Sequence, residues 1–186
     1  MDVSSRPWLS LDERVRESDR LQLRASAMST DHDHGYGPLQ DNDTHQTGFA
    51  EVSYASGIGA TSWLAGIATQ QDRFRSARYR QFDYRYTVPA LFVQAEQALR
   101  DDLTLSGSAR WDDHSAYGVH FSPRLSLLFR PDKWTLRASI GRGFYAPTPF
   151  VEQIEAAGLS RLEPLTGLRA EIATTGSIDA GYVHGP

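Results

Sequence analysis

Residues 124–140, RLSLLFRPDKWTLRASI, form two amphipathic segments on either side of a short turn at Pro131-Asp132. In each segment, apolar residues alternate with polar or charged ones. The apolar positions are Leu125, Leu127 and Phe129 before the turn, and Trp134, Leu136, Ala138 and Ile140 after it. Successive side chains of a β-strand point to opposite faces, so the pattern predicts a hairpin with one apolar and one polar face.

The same alternation recurs along the chain and predicts an all-β protein of about eight antiparallel strands. The strands are expected over about 19–28, 47–55, 61–70, 88–98, 103–112, 124–130, 134–140 and 171–183. In the third strand the pattern is mixed, because Trp63 and Ile67 face one way and Leu64 the other. Long and short connections alternate between the strands, which is typical of an up-and-down barrel in an outer membrane. Residues 1–18 are predicted to be irregular and 19–186 to form a partial barrel domain.

Composition excludes several classes of function. The net charge is only −4, which gives no broad electrostatic case for binding nucleic acid. There is no cysteine, so neither a disulfide framework nor a thiolate metal site exists. Asp112-Asp113-His114 has no nucleophile suitably spaced to join it, so we expect neither an enzyme nor a cofactor. No run reaches the roughly 20 apolar residues of a membrane helix, but barrel strands need only about 10 alternating residues.

A soluble β-sandwich, acting as a ligand- or carbohydrate-binding module, is the alternative from a different class. Its aromatic residues would fill a core between two packed sheets. In a membrane barrel, aromatic side chains concentrate at the two membrane interfaces instead. The two folds are therefore distinguished by whether the apolar faces of the strands are buried between layers or exposed.

The segment Ser122–Thr148 resembles the barrel of TonB-dependent outer-membrane receptors. The likeness rests on a strand that opens with Ser-Pro-Arg, a short turn after Arg-Pro, the strand WTLRAS, and the ending GRGFYAPT. It continues through LEP at 162–164, LRAE at 168–171 and SIDAGY at 177–182. The sequence departs from the family at Tyr145, where Arg or Lys is more usual.

This resemblance implies a barrel of about 22 strands closed around an N-terminal plug. Such receptors import iron–siderophore complexes, cobalamin or similar ligands, with energy supplied by the TonB complex through a box ahead of the plug. The 186 residues contain no recognisable plug, box or signal peptide. We therefore expect an open, curved section of a barrel in the bacterial outer membrane, with membrane lipid as a partner. It should contact TonB only through the missing plug and should not transport alone.

Residues 72–86 interleave arginines with aromatic residues. Guanidinium groups pair with anions and aromatic faces stack on planar ligands, so this segment could capture an anionic metal chelate. The predicted ligand-binding residues are Arg73, Arg75, Arg78, Tyr79, Arg80, Tyr84, Arg85 and Tyr145. The alternative is a partly extended β-hairpin whose Arg and Tyr side chains meet lipopolysaccharide or solvent.

Two further segments carry weaker hypotheses. Imidazole and carboxylate groups lie close together between residues 31 and 45, which predicts a metal site at His32, His34 and His45. The alternative is a solvated acidic loop. Residues 148–158 begin with Thr-Pro and end with Gly, which predicts a short capped helix.

Overall fold

In this computed structural model, residues 3–16, 18–36, 39–149 and 162–184 are described. They contain ten β-strands and one 3₁₀ turn at Arg80–Phe82. The strands are β1 (Val3–Ser5), β2 (Trp8–Arg14), β3 (Arg20–Tyr36), β4 (Leu39–Ile58), β5 (Thr61–Ser76), β6 (Tyr84–Arg100), β7 (Leu103–His114), β8 (Gly118–Phe129), β9 (Trp134–Tyr145) and β10 (Glu171–Tyr182). In this part of the chain, no helix is long and apolar enough to cross a lipid bilayer.

The ten strands form one antiparallel sheet in which β3 to β10 follow sequence order. The predicted antiparallel meander is therefore confirmed. At the first edge, β1 and β2 both pair with β3 in a single continuous register, Ser5 opposite Ser29 and Trp8 opposite Ser26. Pro7 interrupts this edge strand because proline has no backbone N–H to donate, although its carbonyl accepts a bond from the Ala27 N–H at 3.1 Å.

The structure has ten strands where about eight were expected, and the two additional ones, β1 and β2, lie within the segment 1–18 that was expected to be irregular. Residues 8–14 lie opposite residues 20–26 and extend the same sheet. The segment is short and its alternation covers few residues, so its strand character depends on pairing with β3 rather than on its own pattern. The sheet ends at β1 and β2 on one side and at β10 on the other, as far as the described residues show.

The predicted loops at 29–46 and 71–87 are also mostly strand. β3 and β4 remain paired up to Tyr36 opposite Leu39, and β5 and β6 up to Phe74 opposite Tyr84. In the described parts of the β3–β4 hairpin the alternation is absent because both faces are polar. At the end of the β5–β6 hairpin the outer face is polar, while the inner face carries the rings of Phe74, Tyr84 and Tyr86. Backbone pairing continues without regular alternation, since the hydrogen bonds of a ladder do not depend on apolar side chains. The predicted helix at 148–158 lies outside the described residues from 150 onward.

The cross-strand register divides the side chains between two faces. We call the apolar one the outer face; it carries, among others, Leu21, Val52, Trp63, Ile67, Leu91, Val93, Trp111, Leu125, Leu127, Leu136, Ile140 and Ile178. These large side chains are exposed, for example Ile67 at 57%, Leu91 at 59% and Ile178 at 88%. The register also resolves the mixed pattern of β5, where Trp63 and Ile67 lie on the outer face and Leu64 on the opposite one.

The opposite, inner face carries polar pairs and all the buried strand residues that the structure describes. Arg24 pairs with Glu51 at 3.7 Å, and the Arg110 Nε–H donates to Asp112 Oδ1 at 2.8 Å. The buried residues are Ser53, Ala68, Phe74, Ser76, Ala90, Asp112 and His114. Residues crowd together on the concave side of a curved sheet, so we assign the inner face to that side.

This arrangement rules out the β-sandwich. A sandwich buries the apolar faces of two sheets against each other, whereas all the described strands belong to one sheet whose apolar face is uncovered. The strands therefore have the side-chain distribution of a barrel wall, apolar outside and polar inside.

Candidate ligand-facing site on the inner wall

The inner face carries a carboxyl side chain that joins neighbouring strands, at the end of the sheet opposite the tight turns. Asp72 of β5 receives two side-chain contacts there. Its Oδ1 lies 2.8 Å from His45 Nε2 of β4, and the Tyr84 hydroxyl of β6 donates to the same oxygen at 3.3 Å. The three side chains come together because their strands are adjacent and the register places all three on one face. Asp72 thus links three neighbouring strands.

Aromatic rings continue from this carboxylate across the wall. Phe74 stacks on Tyr84 with centroids 6.0 Å apart, and Tyr84 stacks on Tyr86 at 4.7 Å. Tyr86 contacts His114 of β7 at 4.9 Å, and His114 contacts Tyr117 at 4.9 Å. We call Phe74, Tyr84, Tyr86, His114 and Tyr117 the inner aromatic cluster. Phe74 and His114 are buried, so a ligand inside the barrel would meet the partly exposed tyrosines of this cluster, whose phenol oxygens can accept hydrogen bonds.

The inner aromatic cluster is tied to neighbouring segments at both ends. The Tyr117 hydroxyl donates to the carbonyl oxygen of Pro147 at 2.6 Å, which connects the β7–β8 turn to the segment after β9. At the other end, Phe74 packs with fully buried Phe82, and Tyr79 and Leu162 pack against this pair. These contacts fix the rings in place, which favours binding because little side-chain entropy remains to be lost.

The turn between β5 and β6 positions two of the predicted arginines. The Asp83 carboxylate accepts the Ser76 N–H at 2.9 Å, and the Ser76 hydroxyl accepts the Tyr79 N–H at 2.9 Å, so the turn closes on itself. Arg78 lies over the Tyr79 ring at 5.9 Å. Arg80 lines a cavity of about 420 Å³ between this turn and the β3–β4 hairpin, together with Arg75, Asp31, Asp33, Asp43 and Asp83.

The structure does not bring the predicted ligand-binding residues together. Tyr84 lies on the inner face, whereas Arg73, Arg75 and Arg85 lie on the outer face. Tyr145 ends β9 and lies opposite Glu171 of β10, three strands away from β6. Residues 72–86 were interpreted either as a segment that captures a chelate or as a partly extended β-hairpin, and their backbone is that of the hairpin. The separation follows from the two-residue period of a strand, which sends neighbours in sequence to opposite sides of the wall.

The predicted metal ligands are each engaged with a different carboxylate. His32 Nδ1 lies 2.7 Å from Asp43 Oδ1, and His45 contacts Asp72. The side chain of His34 is outside the described residues. Across those residues, no group of three or more histidine or acidic side chains could hold a metal ion. The metal site therefore stays a prediction.

Sequence reasoning missed Asp72, Tyr86, His114 and Tyr117 as members of one site. A sequence signal exists for three of them, because the even-numbered strand residues Asp72, Tyr86 and His114 share the inner face once the register is known. Tyr117 lies in the β7–β8 turn, where this alternation does not apply. His120 belongs to the same wall, and its ring stacks on Phe144 at 4.1 Å.

Removing the Asp72 carboxylate should loosen this end of the sheet. We expect Asp72→Ala to lower the free energy of unfolding by about 1–3 kcal/mol, because the partly buried partners His45 and Tyr84 lose a hydrogen bond to a carboxylate. Urea unfolding in detergent micelles measures the loss. Asp113→Ala, at an exposed position on the outer face of β7, is the matched control and should change stability little. Equal losses in the two variants would contradict the role of Asp72 as a link between strands.

Comparisons with known proteins give the same architecture. The sequence profile of the family described as TonB dependent receptor-like, beta-barrel, matches residues 5–182. An iron-regulated outer membrane virulence protein of Vibrio cholerae serotype O1 is 31% identical over 100 residues, which are 48% of this chain and 15% of that protein. The chain thus spans a small part of the length of this curated relative.

Solved structures support the fold. The siderophore receptor PirA of Pseudomonas aeruginosa matches with a TM-score of 0.64 at 16% identity, over 99% of this chain and 42% of that one. A variant of the ferric enterobactin receptor PfeA from the same species matches with a TM-score of 0.70 at 16% identity, over 98% of this chain and 33% of that one.

The family assignment also indicates the cellular location and the kind of protein in this family. The matched family consists of receptors of the outer membrane rather than enzymes, so the predicted bacterial outer-membrane location is confirmed. Its barrel domain accounts for the exposed apolar face, the polar inner face and the uninterrupted antiparallel order of β3 to β10. On these grounds the chain belongs to the TonB-dependent receptor-like β-barrel family.

Proposed function

We propose that this chain forms part of the wall of a receptor that takes up a siderophore-type iron chelate across the outer membrane. The observation that carries the proposal is that a single sheet has one apolar and one polar face, in a chain that belongs to this receptor family. The exposed apolar face suits lipid, and the polar face, with its inner aromatic cluster, suits a lumen. In the larger receptor, uptake would be energised by the TonB complex acting through a plug inside the barrel.

The inner aromatic cluster and the β5–β6 turn supply the chemistry that such a ligand needs. Ferric chelates of catecholates are anionic and carry flat aromatic rings at their surface. Arg78 is exposed in the turn, and Arg80, also exposed, lines the adjacent cavity. Guanidinium groups bind the anionic oxygens, while the stacked and partly exposed rings of Tyr84 and Tyr86 offer an aromatic contact surface on the same wall. We therefore place the initial contact with the ligand at this end of the barrel.

A binding measurement on the whole chain tests the proposal. The protein is refolded in neutral maltoside micelles and titrated with a ferric tris-catecholate, with tryptophan fluorescence as the readout. We expect saturable quenching by the anionic chelate and an affinity about tenfold lower for Arg78→Gln/Arg80→Gln, because two charge-assisted contacts are removed.

The control variant carries the same change in charge on the other side of the wall. Arg73→Gln/Arg85→Gln removes two arginines from the outer face and should leave the affinity for the chelate unchanged. If both double variants bind as well as the parent chain, the proposed contact at the turn is wrong. If the parent chain shows no saturable quenching at all, the proposal of siderophore recognition by this section fails.

A further inference from the structure

Two arginines lie directly opposite each other on the outer face. Arg73 of β5 and Arg85 of β6 are partners in the antiparallel register, and residues paired in this way have Cβ atoms about 5 Å apart. Two positively charged residues therefore face each other, and no carboxylate of the described residues forms an ion pair with either.

Such a pair is unfavourable unless an anion joins it. Like charges directly opposite on neighbouring strands destabilise a sheet, and the repulsion grows where water is displaced by lipid. Arg75, the next outer-face arginine of β5, has a different environment. It lies opposite Thr44, whose hydroxyl donates to Asp31 at 2.7 Å, so a carboxylate is close to it. The uncompensated site consists of Arg73 and Arg85.

The height of this pair on the wall matches the headgroup layer of a membrane. On β5, Trp63 lies at the tight-turn end, where its ring contacts Tyr54 at 5.7 Å, as expected of an interfacial aromatic belt. Arg73 follows ten residues later, which is about 33 Å along a strand and about 25 Å along the membrane normal at the usual tilt. That distance equals the height of the apolar band of an outer-membrane barrel, so the arginines lie at its far edge.

An apolar groove begins just below the two arginines. It has a volume of about 860 Å³ and runs across the outer face from β3 to β8. Thr69 and Pro89 form its upper part, two rows below the arginine pair on β5 and β6. The rest of the groove is lined mainly by Leu23, Val52, Ile67, Leu91, Trp111 and Val119, with the carboxylate of Asp113 as its acidic group on the outer face. A charged pair above an apolar groove is complementary to a molecule with an anionic head and a hydrocarbon chain.

We propose that Arg73 and Arg85 bind the phosphate of a membrane lipid on the outer surface of the wall, with an acyl chain of that lipid in the apolar groove. The two guanidinium groups donate to the phosphate oxygens, and the shared anion removes the repulsion between them. This lipid site lies on the opposite face from the proposed chelate contact and does not depend on it.

The test measures whether anionic lipid reverses the difference in unfolding temperature between the parent chain and a variant without the two arginines. The full chain and Arg73→Gln/Arg85→Gln are refolded in neutral maltoside micelles, with and without added dioleoyl phosphatidylglycerol, and their thermal unfolding is followed by circular dichroism. Without the anionic lipid, the variant should unfold about 2–4 °C above the parent chain, because the repulsion is gone. With the lipid, the order should reverse, because only the parent chain gains a bound phosphate.

Two controls identify the ligand and the face. Arg124→Gln/Arg137→Gln makes the same change of charge on the inner face, so anionic lipid should still stabilise this variant as it does the parent. Inorganic phosphate at the same concentration should stabilise the parent chain far less than the lipid does. If phosphatidylglycerol stabilises the Arg73/Arg85 variant as much as the parent, or if inorganic phosphate replaces it fully, the lipid site is wrong. Failure here leaves the binding of the ferric chelate untouched.

Discussion

Replacing Ile67 by arginine is expected to be among the most damaging single changes to this chain in a membrane. Ile67 lies on the outer face of β5 between Val52 and Leu91, and 57% of its surface is exposed. Its position between Trp63 and Arg73 places it near the middle of the apolar band. Transfer of arginine to that depth on the lipid side of a barrel costs about 2–4 kcal/mol. Unfolding by urea in phosphatidylcholine vesicles measures the loss.

The matched control for Ile67→Arg lies on the same strand. Gln70 is exposed on the inner face, three residues further along β5. Gln70→Arg adds the same side chain to the polar side of the wall and should change stability by less than about 1 kcal/mol, as is usual for exposed polar sites. If the two variants lose the same stability, or if Gln70→Arg is the worse one, the outer face does not contact lipid.

A methyl group added at Gly66 should also destabilise the sheet strongly. A Cβ atom there would lie 2.5 Å from Phe92 Cζ, 2.5 Å from the Val52 carbonyl oxygen and 2.9 Å from Ser53 Cβ. The Phe92 ring can move, but the Val52 oxygen belongs to the neighbouring strand β4 and cannot move without disturbing the ladder. We expect Gly66→Ala to lower the free energy of unfolding by about 1–3 kcal/mol, the usual cost of overpacking.

Two further variants test whether the close approach of β4 to β5 at Gly66 causes the loss of stability. Gly48→Ala adds the same methyl group to β4 where no atom would lie within 4 Å, so it should leave stability nearly unchanged. Phe92→Leu combined with Gly66→Ala should recover only part of the loss, because it relieves the contact with the ring and leaves the contact with the carbonyl. Full recovery in the double variant would show that the close approach of β4 to β5 is not the cause.

The part of the fold that the sequence predicts is the part in contact with lipid. In the strands expected between Val88 and Ile140 apolar residues recur at about every second position, because one face meets hydrocarbon. Each of these strands overlaps one of β6 to β9, although β8 begins six residues earlier than expected and β9 ends five later. Above the apolar band the outer face becomes polar, as at Gln71, Arg73 and Arg75, and the alternation disappears while the pairing continues. Strand ends in the hairpins β3–β4 and β5–β6 were therefore underestimated.

The candidate site was less predictable for two physical reasons. In sequence, Arg73 and Tyr84 appear as members of one cluster, yet the two-residue period places them on opposite faces of the wall. The contact between His45 and Asp72 joins residues of different strands, and it depends on a register that residue patterns alone do not determine. The types of side chain at the site were visible in the sequence, but their grouping required the pairing of the strands.

Spin labels on four consecutive residues of one strand measure whether the exposed apolar face of this sheet contacts lipid. The chain has no cysteine, so single cysteines at Leu91, Phe92, Val93 and Gln94 of β6 can each carry one label in phosphatidylcholine bilayers. Labels at Leu91 and Val93 should collide mainly with lipid-soluble oxygen, and labels at Phe92 and Gln94 mainly with a water-soluble nickel chelate. Equal accessibility at all four positions, or protection of Leu91 and Val93 from oxygen, would contradict the account.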